Sequence, residues 1–394
     1  MNDNTAAPSL ASSVVSPVES SSASPVGGRA IAQHSNGSHY PSIQPLPLSR
    51  DDLAKFDAIV DTRSPAEFAL DHVPNAINCP VLTNEERIIV GTLHKQASPF
   101  EAKKVGAAMV ARNIARHIDE QFRDKPKHWK PLIYCWRGGA RSGAATHIFR
   151  AIGWGAVQLQ GGYKAWRAQV VSDLETMPNQ FRYEVICGRT GSGKSRLLES
   201  LAAQGAQVLD LEKLAAHKGS VLGNLPDQPQ PAQKMLDSRI WAELSQFDPT
   251  RPVFVEAESK KIGVLRVPDP LIRAMWQGRC HEIITPQLLR VALLHEEYAH
   301  LIADQTLLFF KLDCLAALHS REQIANWKSM AVNGQWHAFV KSMLDRHYDP
   351  AYDRSMFKNY AGVPDAKPIH ITDISAHGFD TQARLLNQSL SDGD

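Results

Sequence analysis

From Phe56 onward the chain alternates short apolar runs with stretches in which apolar residues recur every three or four positions. Runs bounded by turn-forming residues predict strands, and the three-to-four spacing predicts the buried face of a helix. On this reading "DAIVD", "NAINCPV", "PLIYCW" and "AVQLQGG" are strands, and "AEFALDH", "RSGAATHIFRAIG" and "YKAWRAQVV" are helices. Between them, residues 84–130 predict a long and mostly helical insertion. After the linker "ETMPNQ" the alternation restarts with the strand "RYEVICG", a helix to about Gln204, and the strands "AQVLDLE" and "RPVFVEAES". Beyond residue 281 the strand signal fades, and "TPQLLRVALLHEEYAHLIADQTLLFFKLDCLAAL" predicts packed helices. Strands that alternate with helices predict an α/β protein with parallel sheets. The expected division is one α/β domain over 47–175, a second over 181–280 and a helical C-terminal region over 281–394. Residues 1–46, rich in Ser, Ala, Pro and Gly, predict a disordered tail, because they hold too little apolar surface to offset the entropy of ordering.

Composition narrows this picture without changing it. The 394 residues are 43% hydrophobic and 21% charged, with no apolar run near the ~18–20 residues that a membrane span needs. No membrane partner is expected. The opening "MNDNTAAPSLASS" lacks the basic start and apolar core of a secretory signal, so the expected location is the cytoplasm. Five widely spaced cysteines (Cys79, Cys135, Cys187, Cys280, Cys314) form no C-x-x-C pair, which argues against a disulfide framework and a thiolate zinc site. Net charge is +2, too small for overall basicity to recruit nucleic acid. Charge is nevertheless local: residues 85–130 hold ten Lys and Arg against six Asp and Glu, a net of +4. In "FRDKPKHWK", Arg123, Lys125, Lys127 and Lys130 surround His128 and Trp129, a mixture suited to phosphates and stacked bases. An ordinary solvated helix face and loop has the same composition.

Two glycine-rich stretches carry candidate chemistry. In "YCWRGGARSG" a cysteine ends a strand and precedes a helix start, so Cys135 faces backbone N–H groups and the positive end of a helix dipole. With Arg137 and Arg141 in reach, that setting favours a thiolate, whereas Cys79 and Cys187 read as buried structural residues. The second stretch, "GRTGSGKS", runs Gly188, Arg189, Thr190, Gly191, Ser192, Gly193, Lys194, Ser195 between an apolar strand and a helix, the pattern of a phosphate-binding P-loop. Its amides hold a phosphate, Lys194 neutralises outer oxygens, and Ser195 is a possible Mg²⁺ ligand. Asp210, Glu212, Glu256 and Glu258 follow later strands, where acids hold metal-bound water or accept a proton. "HKGSVLG" adds His217 and Lys218, and "ESKKIG" adds Lys260 and Lys261, so Lys194, Lys218, Lys260 and Lys261 are expected to ring a site for a polyanion. "HEEYAH" is no zinc helix, since H-E-x-x-H requires histidine where Ala299 stands. No zinc site is expected.

"DTRSPAEFALDHVPNAINCPV", followed by "YCWRGGARSG" and "LQGGYKAW", resembles a rhodanese-type sulfurtransferase domain. That resemblance implies Cys135 as the chalcogen carrier, with Trp136, Arg137, Gly138, Gly139 and Arg141 forming the cradle, and gives Asp61, Arg63 and His72 a framework role. A rhodanese-like domain followed by a P-loop domain resembles the tRNA 2-selenouridine synthase family over about residues 50–365, carried by "CWRGGARS", "GRTGSGKS", "LDLEKLAAHKGSVLG", "SPFEAKKVGA", "ESKKIG" and "HYDPAY". The family implies replacement of sulfur by selenium in the wobble 2-thiouridine of the tRNA anticodon loop. Selenophosphate is the implied donor, with an enzyme that supplies it as a further partner, and no tightly bound cofactor is implied. It also implies geranylation of the thio group from geranyl diphosphate. The P-loop is then expected to hold the prenyl diphosphate and not ATP, because alkyl transfer needs the departing diphosphate stabilised. An ATP-dependent kinase or tRNA thiolation enzyme fused to a sulfur-carrier domain stays open as an alternative, as do a non-catalytic tRNA-binding protein and a phosphatase built on the Cys135 loop.

Overall fold

In a computed structural model, which describes Ser42–Ile43 and residues 50–391, the strands form two five-stranded parallel sheets. The first is built from β1 (Ser42–Ile43), β2 (Ala58–Asp61), β3 (Ala76–Asn78), β4 (Pro131–Tyr134) and β5 (Val157–Leu159), in the order β1-β5-β4-β2-β3. The second is built from β6 (Tyr183–Cys187), β7 (Gln207–Leu209) and β8 (Val253–Glu256), and from β11 (Arg279–Ile284) and β12 (Lys367–His370) after a small antiparallel hairpin of β9 (Lys261–Ile262) and β10 (Leu265–Arg266). Its order is β12-β11-β6-β8-β7. Every residue of β4, β6 and β8 is buried, which is why these segments read as continuous apolar runs: helices cover both faces. Cys135 directly follows β4 and the P-loop directly follows β6, so each sits at the carboxyl edge of its sheet, where open parallel sheets bind ligands.

Five strands, β1, β9, β10, β11 and β12, fall where the sequence pattern predicts none. Most of the expected N-terminal tail lies outside the described residues, but Ser42–Ile43 pairs with Gln158–Leu159 as an edge strand. The C-terminal region is mostly helical, as its periodicity predicts, yet it returns β12 to pair with β11, His281 opposite Lys367 through Ile284 opposite His370. A four-residue strand beginning Lys-Pro is too short and polar to stand out from its surroundings.

The insertion is a pair of helices, Asn84–Gln96 and Pro99–His117, N-capped by the side chains of Thr83 and Ser98. It is pinned to the segment after β3 by Asn113 Nδ2, which donates to Val81 O at 3.2 Å, and by His117 Nε2, 3.0 Å from Pro80 O. At its end the structure corrects one expectation. Trp129 is buried among Phe122, Phe149 and Trp154, so its ring has no face free to stack on a base. Arg123, Lys125, Lys127 and Lys130 remain on the surface around it.

Helix Gly162–Thr176 of the first domain packs on helix Gln233–Leu244 of the second through an edge-to-face contact between Trp166 and Trp241, ring centroids 6.2 Å apart. Trp241 Nε1 donates to Asp173 at 2.8 Å, and Arg167 joins Asp237, Ser238 and the Lys234 carbonyl. One apolar cluster therefore runs from Ile59 and Leu132 through both tryptophans to Val185 and Val255. With a shared core, chemical unfolding followed by far-UV circular dichroism should show one cooperative transition. Trp166→Ala should lower stability by about 3–5 kcal/mol, as for a large buried aromatic, without splitting that transition.

Candidate active sites

The Cys135 loop is held shut from behind. Tyr163 N–H donates to Cys135 O at 2.8 Å and Lys164 N–H to Trp136 O at 3.0 Å. That approach requires Gly162, at φ +54°, because a Cβ there would stand 2.2 Å from Cys135 O. The sulfur accepts from Gly139 N–H at 3.3 Å and from the Ser142 hydroxyl at 3.2 Å. Gln158 Nε2 reaches Gly138 O, Gly139 O and Ser142 Oγ at 2.7, 3.1 and 2.9 Å, and the Ser142 hydroxyl lies within reach of Gly139 O at 3.3 Å as well as of the sulfur. Ser142 and Gln158 were not singled out by sequence spacing.

Arg141 points away from this cradle and pairs with Glu67 at 2.7 Å, with Arg87 on the same carboxylate at 3.0 Å. Burial alone would push the Glu67 carboxyl up, but the two guanidinium groups and the Ser64 N–H hold it down at about 2. Behind the loop, buried Arg63 pairs with Asp61 at 2.6 Å and lies over the Tyr163 ring, while His72 stacks on Phe68. Asp61 and Arg63 are thus engaged in a buried ion pair and His72 in a ring stack.

In the P-loop, two carbonyls are tied outward. Arg290 Nε donates to Thr190 O at 2.9 Å and the Thr285 hydroxyl to Ser192 O at 2.8 Å. In a trans peptide the N–H opposes the carbonyl, so the amides of Gly191 and Gly193 turn to the other side, towards the cavity. Buried Arg290 is completed by Asp349, at 3.0 and 2.6 Å. Tyr352 OH accepts from Gly188 N–H at 2.5 Å, and Asp353 pairs with Arg189 at 2.8 Å. The "HYDPAY" stretch is therefore the brace that the C-terminal helices lay across the phosphate loop, a role no local pattern reveals.

Lys194 donates to Gly188 O at 2.8 Å and pairs with Glu256 at 3.3 Å, and Ser195 Oγ lies 3.4 Å from Glu256. Oxygens of Glu212, Glu256 and Glu258 come within 4.8 Å of one another, a donor set that fits a hard divalent cation. Burial, and then the Glu256 charge, pushes the Glu258 carboxyl up to about 8; burial with its two neighbours pushes Glu212 well above the usual range. These acids line a cavity of about 390 Å³ together with Lys194, Lys218, Tyr298 and Tyr348. A second, narrow and almost wholly apolar chamber of about 50 Å³ shares Thr190, Leu294, Tyr298 and Tyr348 with it and runs on between Leu308, Trp336, Phe339 and Met343.

Several candidates lie elsewhere. Lys260 sits over the Trp276 ring and lines a different cavity, and Lys261 belongs to the β9–β10 hairpin, so the expected ring of four lysines reduces to Lys194 and Lys218. Asp210 N-caps the short helix after β7 by accepting from Lys213 N–H at 2.8 Å. His217 is buried outside the cavity wall.

Residues 181–313 match the family model described as the tRNA 2-selenouridine synthase AAA domain, and residues 48–169 match that of the rhodanese-like domain. The tRNA 2-selenouridine synthase of Hydrogenovibrio crunogenus is 30% identical over 332 residues, covering 77% of this chain and 91% of that protein. That of Marinobacter nauticus is 28% identical over 324 residues, 75% and 87% of the two chains. That of Nitrosomonas europaea is 33% identical over 244 residues, 61% of this chain and 63% of its own, so this match spans just under two thirds of that relative.

The acid cluster gives a pH signature. Folded Glu258 keeps its proton to about pH 8, whereas unfolded Glu ionises above ~4.3, so its contribution to stability falls as pH rises between those values. Glu258→Gln removes that loss. In metal-free buffer the variant's melting temperature should therefore gain on the wild type between pH 5 and pH 8, and thermal scans at both pH values read the difference.

Proposed function

The chain belongs to the tRNA 2-selenouridine synthase family, and from this we propose that it replaces sulfur by selenium in a 2-thiouridine of tRNA in two steps, one at each loop. At the P-loop, geranyl diphosphate alkylates the thio group; at the Cys135 loop, selenium from selenophosphate displaces the geranylated sulfur. The observation that carries the first step is the apolar chamber opening beside the phosphate loop. A nucleotide would leave that chamber unused, whereas the chain of a prenyl diphosphate would meet an apolar wall there.

In this reading the amides of Gly191 and Gly193 and the Lys194 ammonium hold the diphosphate. Leu294, Phe339 and Met343 bury the chain and keep water from the reacting carbon. The thio sulfur bonds to the first prenyl carbon, the carbon–oxygen bond breaks, and diphosphate leaves with the electron pair while the base loses its N3 proton. Ser195 and Glu256 would hold Mg²⁺, which supplies positive charge to the leaving group. In the second step selenium bonds to C2, the C2–sulfur bond breaks and geranyl thiolate leaves with that electron pair to take up a proton, while water attacks phosphorus, breaking the phosphorus–selenium bond and releasing phosphate. Gly139 N–H and Ser142 stabilise negative charge on the Cys135 sulfur throughout.

The surface cations Arg123, Lys125, Lys127 and Lys130 are one place for the tRNA backbone, acting through phosphates alone now that Trp129 is in the core. A selenophosphate-producing enzyme is the matching supplier. No helix among the described residues is long and apolar enough to cross a membrane.

Separate variants should uncouple the steps. Lys194→Ala removes a bond to a charged group worth about 1.5–3 kcal/mol, so geranylation should fall tenfold or more while selenation of an already geranylated tRNA survives. Cys135→Ser should do the reverse and accumulate the geranylated nucleoside. Mass analysis of nucleosides from tRNA incubated with each donor reads both, and loss of both steps in either variant would contradict two separate sites.

A further inference from the structure

Of the eight tryptophans in the chain, Trp136 alone is exposed, at 37%, and it is the residue next to Cys135. Its place is fixed. The Trp136 carbonyl accepts from Lys164 N–H at 3.0 Å, the preceding carbonyl accepts from Tyr163 N–H, and the indole leans on the Tyr163 ring at 5.2 Å and 31°. Tyr163 is itself locked, with Arg63 4.0 Å from its ring centroid on the inner side and its hydroxyl donating to Asp71 at 2.8 Å. A large aromatic held this firmly, yet left in water beside a nucleophile, is placed for a ligand with a flat face.

Charge beside it narrows the ligand. Arg137, one residue further on, and Lys164, whose amide grips the Trp136 carbonyl, are both exposed, and neither side chain has a hydrogen-bond or ion-pair partner among the described residues. Arg141, by contrast, is consumed by Glu67. An aromatic face flanked by two unpaired cations is the arrangement that takes an unstacked base with its neighbouring phosphates.

We propose that Trp136 is the platform on which an unpaired pyrimidine of the RNA stacks while its C2 faces Cys135, with Arg137 and Lys164 contacting the flanking phosphates. This rests on the reading that selenium displacement takes place at the Cys135 loop. It places base recognition for the second step at the mouth of that loop, apart from the P-loop and apart from the insertion, whose Trp129 is in the core.

The test uses the full chain, selenophosphate, and an anticodon stem–loop RNA carrying one S-geranyl-2-thiouridine. Trp136→Ala should raise KM for this RNA by about ten- to hundredfold, the change expected of one lost base–aromatic stack, with a smaller effect on kcat. Trp136→Phe, which keeps a stacking face, should recover most of it. On the same preparations, displacement should drop relative to geranylation of the unmodified thiouridine stem–loop. An unchanged KM in Trp136→Ala overturns the proposal; so does an equal loss in both steps, or a phenylalanine variant as poor as alanine, since each assigns the indole to packing on Tyr163. Failure of the wild type to form selenouridine from the geranylated RNA would instead sink the two-step reading, and this platform with it.

Discussion

A guanidinium out of reach of water is tolerated only when its donors are taken, and Arg290 has a place in this structure because Thr190 O and both oxygens of Asp349 take them. The bond to Thr190 turns a P-loop peptide so that its neighbouring amide faces the cavity. The pair with Asp349 draws the C-terminal helices across the loop, and with them come Tyr348 and Tyr352. Without that brace the phosphate loop would be a groove in an open sheet edge. With it, the same groove gains a roof, and under the roof lies the apolar chamber.

The charges inside follow from this enclosure. Glu212, Glu256 and Glu258 crowd together with Lys194 and Lys218 as the nearby cations, so the cavity holds its acids at raised pKa values. A cation bound there would relieve that repulsion and at the same time meet an incoming diphosphate. The Cys135 loop solves a different problem by different means: its sulfur is stabilised by a neutral hydroxyl and one amide, and its arginine is set aside in an ion pair. On the proposed reading one site serves a large leaving anion and the other a small nucleophile, the division of labour that a two-step exchange needs.

Both loops were legible in the sequence because each is contiguous: a strand, a glycine run and a helix start within ten residues place Cys135 and Lys194 at the carboxyl edges of their sheets. What sequence could not place was anything assembled across distance. Glu212, Glu256 and Glu258 were visible as strand-edge acids, but their convergence depends on β7 and β8 being neighbours. Lys260 and Lys261 follow a strand end as Lys194 does, yet the β9–β10 hairpin carries them off the cavity. Trp129 and Trp136 lie in equally basic surroundings. Their opposite fates are set by Phe122, Phe149 and Trp154, which bury the first, and by a tight loop that leaves the second no core to enter. The Arg290–Asp349 pair spans 59 residues between two helices, a separation that no periodicity marks.

The central claim is that the phosphate loop and the apolar chamber form one site for one amphipathic ligand. Titration calorimetry with the full chain and Mg²⁺, comparing geranyl diphosphate, inorganic diphosphate and ATP, tests it directly. At about 0.8 kcal/mol per buried methylene, a chain seated in the chamber should make geranyl diphosphate bind roughly a hundredfold or more tighter than inorganic diphosphate, with a more negative heat-capacity change. Equal affinity for the two diphosphates, or tighter binding of ATP than of the prenyl compound, would contradict it.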